Sequence, residues 1–113
     1  MGRLALRYVG HRPGASLAYF TGASVDLAPG TLVDLPPAGL IIGRGVDAGL
    51  RVASSQVGRS HARVRPGPDG LQVEDLRSTN GTAVNDRRVE TAVLRVGDRL
   101  TIAGGFDFDV VAI

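Results

Sequence analysis

The sequence contains no cysteine, no tryptophan and no lysine. Without cysteine the chain can form neither a disulfide framework nor a thiolate metal centre, and a cytoplasmic address is the default expectation. Its two histidines alone make a poor transition-metal site. Aromatic residues are 4% of the chain, which leaves few platforms on which nucleic-acid bases could stack. No uninterrupted apolar stretch is long enough to cross a bilayer, and residues Met1 to Tyr8 lack the apolar core and cleavage site of a secretory signal. Nor does any window of about 11 residues keep a helical apolar period free of Gly and Pro, so helices are expected to be absent or single turns.

What is present describes an ordinary globular chain. At 113 residues, 43% hydrophobic and 21% charged, it suits a single domain spanning 1–113 with one apolar core. All 13 basic residues are arginine, in a chain of formal net charge +2. A guanidinium is a planar, multi-donor group that recognises phosphate in a way an ammonium does not.

The apolar pattern is that of short strands. Leu4, Leu6 and Tyr8 alternate with Ala5 and Arg7, followed by a loop at 11–14. Ser16 to Phe20, Ser24 to Leu27, Thr31 to Leu35 and Leu40 to Arg44 are further strand candidates, interrupted by Gly22, Pro29-Gly30 and Pro36-Pro37. Leu50 to Val52 is a brief run, and His61 to Arg65 alternates again. Pro66 to Gly70 is a turn, from which Leu71 to Leu76 returns as a hairpin strand. Asn80-Gly81 and Asn85-Asp86 suit the positive φ of tight turns, making 82–84 and 87–89 paired strands. Gly97-Asp98 precedes a strand over 99–102. Phe106 to Ile113 alternates and then becomes fully apolar, as a strand entering the core would. Many short strands at regular turn spacing predict an all-β antiparallel sandwich with little or no helix. The end on a strand suggests either a complete small protein or a module of a longer one.

Three clusters carry the candidate chemistry. The run Ile41-Ile42 stops at Gly43-Arg44, as though a strand ended by presenting a guanidinium. Gly58-Arg59-Ser60-His61 is a turn-prone, basic loop leading into a strand. Ser78-Thr79-Asn80-Gly81-Thr82 is a small polar turn. Arginines, hydroxyls and an amide displayed from successive loops suit an oxyanion, above all a phosphate. Gly43-Arg44-Gly45 with Gly49 has a gap one residue too long for a dinucleotide-binding turn and no helix follows it. His61 has no nucleophile or acid at a recognisable spacing and reads as a buried, hydrogen-bonded scaffold residue.

Taken in order, Gly43-Arg44, Arg59-x-His61 and Ser78-x-Asn80-Gly81-Thr82, followed by Asn85, resemble the forkhead-associated (FHA) domain, a phosphothreonine-binding β-sandwich. The resemblance covers about 41–113, including Leu94 to Leu100 in place of an L-x-x-G-D-x-I segment, while 1–40 fit as generic early strands. It implies that Arg44 binds a phosphate oxygen and that Thr79 adds a hydroxyl or amide donor. Arg59 would lie beside the phosphate or read the residues after it, and Asn80 would bond the peptide backbone. Gly43, His61 and Gly81 would shape the loops. One position departs from the pattern: the family's phosphate-binding serine, three residues before the histidine, is Gly58 here. Ser55, Ser60 or a closer approach of the Gly58 N–H are the available substitutes.

The expected function is therefore a non-enzymatic module, without cofactor, metal or membrane contact. Its partner would be a phosphothreonine-containing protein made by a Ser/Thr kinase, or its own kinase-phosphorylated segment. The alternatives are a phospho-independent interaction or dimerisation domain of the same fold, which the Gly58 departure favours, and an Arg-rich nucleic-acid binder, which the low aromatic content opposes.

Overall fold

The computed structural model describes residues 3–13 and 28–113. Among these residues eleven strands follow in order: β1 (Leu4–His11), β2 (Leu32–Val33), β3 (Leu40–Gly43), β4 (Leu50–Arg51), β5 (Ala62–Gly67), β6 (Gly70–Asp75), β7 (Thr82–Val84), β8 (Arg87–Arg88), β9 (Thr91–Leu94), β10 (Arg99–Ile102) and β11 (Phe106–Ala112). No helix occurs among the described residues. One sheet has the order β2-β1-β11-β10-β7-β8 and the other β4-β3-β5-β6-β9. Every pairing is antiparallel except the two-residue bridge of β3 to β4, where Ile42 lies opposite Leu50 and Gly43 opposite Arg51. The expected all-β sandwich is the observed fold; the expected strands at 16–20 and 24–27 lie outside the described residues.

Period-2 alternation does what strand geometry requires of it. Along β11, Phe106, Phe108 and Val110 are buried, as are Val64 on β5 and Leu71 and Val73 on β6. Ile42, Leu94, Leu100 and Ile102 complete the middle of one shared core. Asp107 and Asp109 alternate with the apolar residues of β11 on its other face, Asp107 buried and Asp109 partly so. Asp109 accepts from Arg99 Nε at 2.9 Å and lies 3.6 Å from Arg7, directly across the strands from both. Asp107 accepts from Arg12 Nε at 3.0 Å and from Thr101 Oγ1 at 2.7 Å.

The turns follow their residues. Asn85 and Asp86 both have positive φ, 51° and 66°, as the two-residue β7–β8 hairpin demands. The β5–β6 turn is tighter than expected: both strands run on to Gly67 and Gly70, leaving Pro68-Asp69 at the tip. Pro66 is tolerated within β5 because β3 pairs no further than Val64, so its missing donor is needed on at most one side. Two other expectations need correction, and one strand was not anticipated. His11 belongs to β1, which continues past a register shift between Tyr8 and Gly10. Residues 91–94 form β9, the edge of the second sheet. The apolar end 111–113 leaves the core, with Val111 partly and Ile113 well exposed.

The Arg7–Asp109–Arg99 ladder has a pH signature. The Arg99 hydrogen bond, more than Coulomb attraction, holds Asp109 below the usual carboxylate pKa against the opposing effect of burial. A depressed folded-state pKa stabilises the fold above the unfolded value near 3.8, and that contribution is lost as pH falls through the folded value. Asp109→Asn is therefore expected to lower the melting temperature at pH 7 and to flatten the fall in stability below pH ~4. An acid limb as steep as the parent's by thermal denaturation would show that the ladder contributes nothing.

Candidate functional site

The three clusters converge at one end of the sandwich, on the β3–β4, β4–β5 and β6–β7 loops. β3 is held to the β4–β5 loop by the backbone. Arg44 N–H donates to the Gly58 carbonyl at 3.0 Å, and Gly45 N–H to the Arg59 carbonyl at 3.1 Å. The approach is so close that a Cβ on Gly43 would lie 2.0 Å from the Arg59 carbonyl oxygen, which only glycine allows.

His61 joins this pair of loops to the third. Its side chain is fully buried. Nδ1 accepts the Gly58 N–H at 2.9 Å, which fixes the tautomer, so Nε2–H donates to the Gly81 carbonyl at 2.7 Å. Its own backbone completes the junction: His61 N–H donates to Ile42, and its carbonyl accepts from Leu76 N–H, both at 2.9 Å. The proposed closer approach of the Gly58 N–H to a phosphate needs correction, because that donor is committed to the imidazole.

The β6–β7 loop is organised around Asp75. Its carboxylate accepts the Ser78 N–H at 3.1 Å, the Thr82 hydroxyl at 2.7 Å and the Ser78 hydroxyl. Ser78 Oγ in turn accepts the Gly81 N–H at 3.0 Å. Burial raises the Asp75 pKa, but the bonds from Ser78 and Thr82 outweigh it and the net shift is downward. Asp75 holds the loop that carries Thr79 and Asn80, a role the sequence did not disclose.

Against this framework the candidate side chains are displayed. Arg44 Nε donates to the Val57 carbonyl at 2.8 Å, which aims the guanidinium and leaves its terminal nitrogens unbonded among the described residues. Arg51 Nε donates to the Arg44 carbonyl at 2.9 Å. Asn80 Nδ2 donates to the Gln56 carbonyl, next to the one that holds Arg44, at 2.7 Å. Arg59, Thr79, Ser55 and Ser60 are exposed. A concavity of about 340 Å³ lined by residues such as Arg63, Arg65, Val73 and Thr91 shares no residue with these loops. Among the described residues, no three His, Asp or Glu side chains gather as a metal site. The arrangement can bind an anion through fixed, charge-assisted donors at a surface formed by loops.

The sequence model of the FHA domain matches residues 40–103, more than half of the chain. This chain belongs to the FHA family. It is 43% identical over 61 residues to the ABC transporter ATP-binding/permease protein Rv1747 of Mycobacterium tuberculosis, a match covering 54% of this chain and 7% of that protein. Among solved structures, the FhaA FHA domain complexed with the intracellular domain of Rv3910 aligns with a TM-score of 0.72 and 28% identity, over 96% of this chain and 99% of that one. An FHA domain from a structural and functional analysis of phosphothreonine-dependent FHA domain interactions aligns with a TM-score of 0.71 and 28% identity, over 95% and 93%.

Burial lowers the His61 pKa below its ordinary 6.5; the bond to Gly81 and the charge of Asp75 oppose this, and Arg88 adds to it. The neutral ring therefore stabilises the fold above pH 6.5, and that stability is lost as pH falls toward the lower folded-state value. His61→Ala is expected to lower the melting temperature at pH 7.5 by roughly 5–15 °C, from about 1–3 kcal/mol for the stranded partners. It should also reduce the loss of stability between pH 7.5 and 5. Unchanged melting at pH 7.5 would show that the imidazole does not hold the loops.

Proposed function

We propose that this FHA domain, taken as one unit over 1–113, binds a protein partner carrying phosphothreonine. Arg44 is assigned to the phosphate, Arg59 and Thr79 stand beside it, and Asn80 bonds the peptide backbone. The observation that carries the reading is the pair of neighbouring carbonyls, Val57 and Gln56, which orient Arg44 and Asn80 together. A dianion and a peptide backbone are what a guanidinium and an amide so placed can hold. The similarity to a domain studied for phosphothreonine-dependent interactions supports the same chemistry. The partner is a kinase product, either another protein or a segment of the chain's own polypeptide. The match to Rv1747 spans 7% of that protein, so nothing of a transporter's activity is assigned here.

A second reading, phospho-independent interaction, has one observation in its favour: Gly58 supplies no hydroxyl where the family's serine binds phosphate. The position accepts one. Gly58 is not among the residues with positive φ, and the nearest atoms to a Cβ there would be those of His61, at an ordinary contact distance of 3.5 Å or more.

Screening a degenerate phosphothreonine peptide library against its unphosphorylated copy selects a ligand for calorimetry. Arg44→Ala is expected to weaken binding of that ligand about ten- to a hundredfold, as loss of a charge-assisted hydrogen bond predicts. Its melting temperature should fall by no more than a few degrees. Gly58→Ser should bind about tenfold more tightly at equal stability. Equal affinity for phosphorylated and unphosphorylated peptide, unaffected by either substitution, would favour the phospho-independent reading.

A further inference from the structure

Among the described residues the two sheets end in four edge strands, and three of these, β2, β4 and β8, are only two residues long. Shortness protects an edge from pairing with another chain, and β4 and β8 add arginines to it. β9 is the exception. It runs for four residues, Thr91–Leu94, without a charge, proline or glycine, and Thr91 and Val93 are β-branched. Asp75 N–H donates to the Glu90 carbonyl at 2.8 Å, and with Glu74 opposite Thr91 this sets the phase of the ladder. Ala92 and Leu94 therefore exchange their bonds with β6, while the N–H and carbonyl of Thr91 and Val93 point away from it, into the open edge. Among the described residues no group bonds them there.

What can pair with this edge is limited by its flanks. Val89 N–H is committed to the Thr82 carbonyl at 2.9 Å, and Arg95 N–H to the Asp98 carboxylate at 2.8 Å. Only Thr91 and Val93 are left to bond a further strand. Laid antiparallel against a second copy of itself, β9 has one register that uses both: Thr91 opposite the other copy's Val93, with the twofold axis through Ala92. A shift of two residues either way sets Val93 against Val89, or Thr91 against Arg95, whose donors are already taken. In the remaining register the exposed, β-branched Thr91 and Val93 face each other on the outer surface, and Ala92 meets its counterpart on the inner side. No like charges oppose, because Glu90 stands across from Leu94 and Arg95 across from Val89.

We propose that this chain forms a symmetric dimer through β9, joining the two five-stranded sheets into one continuous sheet across the axis. The twofold axis of an antiparallel ladder is perpendicular to the sheet, so the outer faces lie on the same side while the strands run in opposite directions. Thr91 is at the end of β9 beside Glu74 and Asp75, where the β6–β7 loop leaves. The loop ends of the two copies therefore point away from each other, and the dimer presents them to two separate partners. Backbone pairing at β9 uses no residue of the three loops, so the dimer stands or falls apart from the phosphothreonine reading. Its contact is short, well below the size of a standard interface, and association is accordingly weak and concentration-dependent.

The test is sedimentation equilibrium of the chain without ligand, from about 10 μM to about 1 mM, the range in which so short a contact should associate. The parent's weight-average mass is expected to rise from the 11.7 kDa of one chain toward twice that value. Thr91→Lys/Val93→Lys sets lysine against lysine at both facing pairs and should weaken association by about tenfold or more. Thr91→Lys/Val93→Glu sets lysine against glutamate in the assigned register alone, and should associate at least as tightly as the parent. In either shifted register it would oppose two lysines or two glutamates. Both positions are exposed on the outer face, so both variants should melt within a few degrees of the parent. A parent that stays monomeric to about 1 mM overturns the dimer and leaves the β9 edge to a strand from another protein. A double-lysine variant that associates as the parent does moves the contact to another surface, and a lysine–glutamate variant as weak as the double-lysine one overturns the assigned pairing.

Discussion

A buried imidazole bonded at both ring nitrogens is the constraint on which the recognition surface depends. His61 accepts from Gly58 in one loop and donates to Gly81 in another, while its backbone ties to β3 and to Leu76. Burying an imidazole is unfavourable unless both nitrogens are satisfied, so the two bonds and the burial require each other. Once they form, Gly58 fixes the path of Gln56 and Val57, whose carbonyls aim Asn80 and Arg44. Asp75 does for the interior of the β6–β7 loop what His61 does for its attachment. The exposed Arg59, Thr79 and Asn80 themselves contribute little to the core.

The charges divide along the same line. Asp109 on β11 lies between Arg7 of β1 and Arg99 of β10, and Asp107 pairs with Arg12, just past β1, so this part of the first sheet is largely self-neutralised. At the loop end, Arg44, Arg59 and Arg88 have no ion-pair partner among the described residues. A cation aimed by a backbone hydrogen bond and left without a carboxylate, as Arg44 is, favours an incoming anion without the reorganisation that a mobile side chain would require. A net charge of +2 conceals this arrangement, because the sum does not record which arginines lie beside carboxylates.

Strands and turns were legible wherever one residue type dictates one geometry. Phe106-Asp107-Phe108 reads as a half-buried strand, and Asn85-Asp86 as a left-handed turn, from local sterics alone. The β10–β11 turn was not legible, because Ala103 takes φ 55° beside Gly104 and alanine gives no warning of it. β9 was hidden because only Leu94 of its four residues is fully buried, as suits an edge strand. At the site, residue types announced phosphate chemistry and their order announced the family. The partners that aim the side chains were invisible. Both are backbone carbonyls, of Val57 and Gln56, which have no sequence signature. The commitment of the Gly58 N–H to His61 was hidden for the same reason, since it depends on tertiary placement of a buried ring.

The central claim, that three preorganised loops form a phosphothreonine-dependent surface, is tested most directly by mapping amide chemical shifts during titration with a phosphothreonine peptide and, separately, with its unphosphorylated copy. The account predicts that only the phosphopeptide produces saturable shifts, concentrated at 44–46, 55–60 and 77–81 and including the Arg44 side-chain Nε–H. Shifts centred on the outer face of β5, β6 and β9, or of equal size with both peptides, would contradict it.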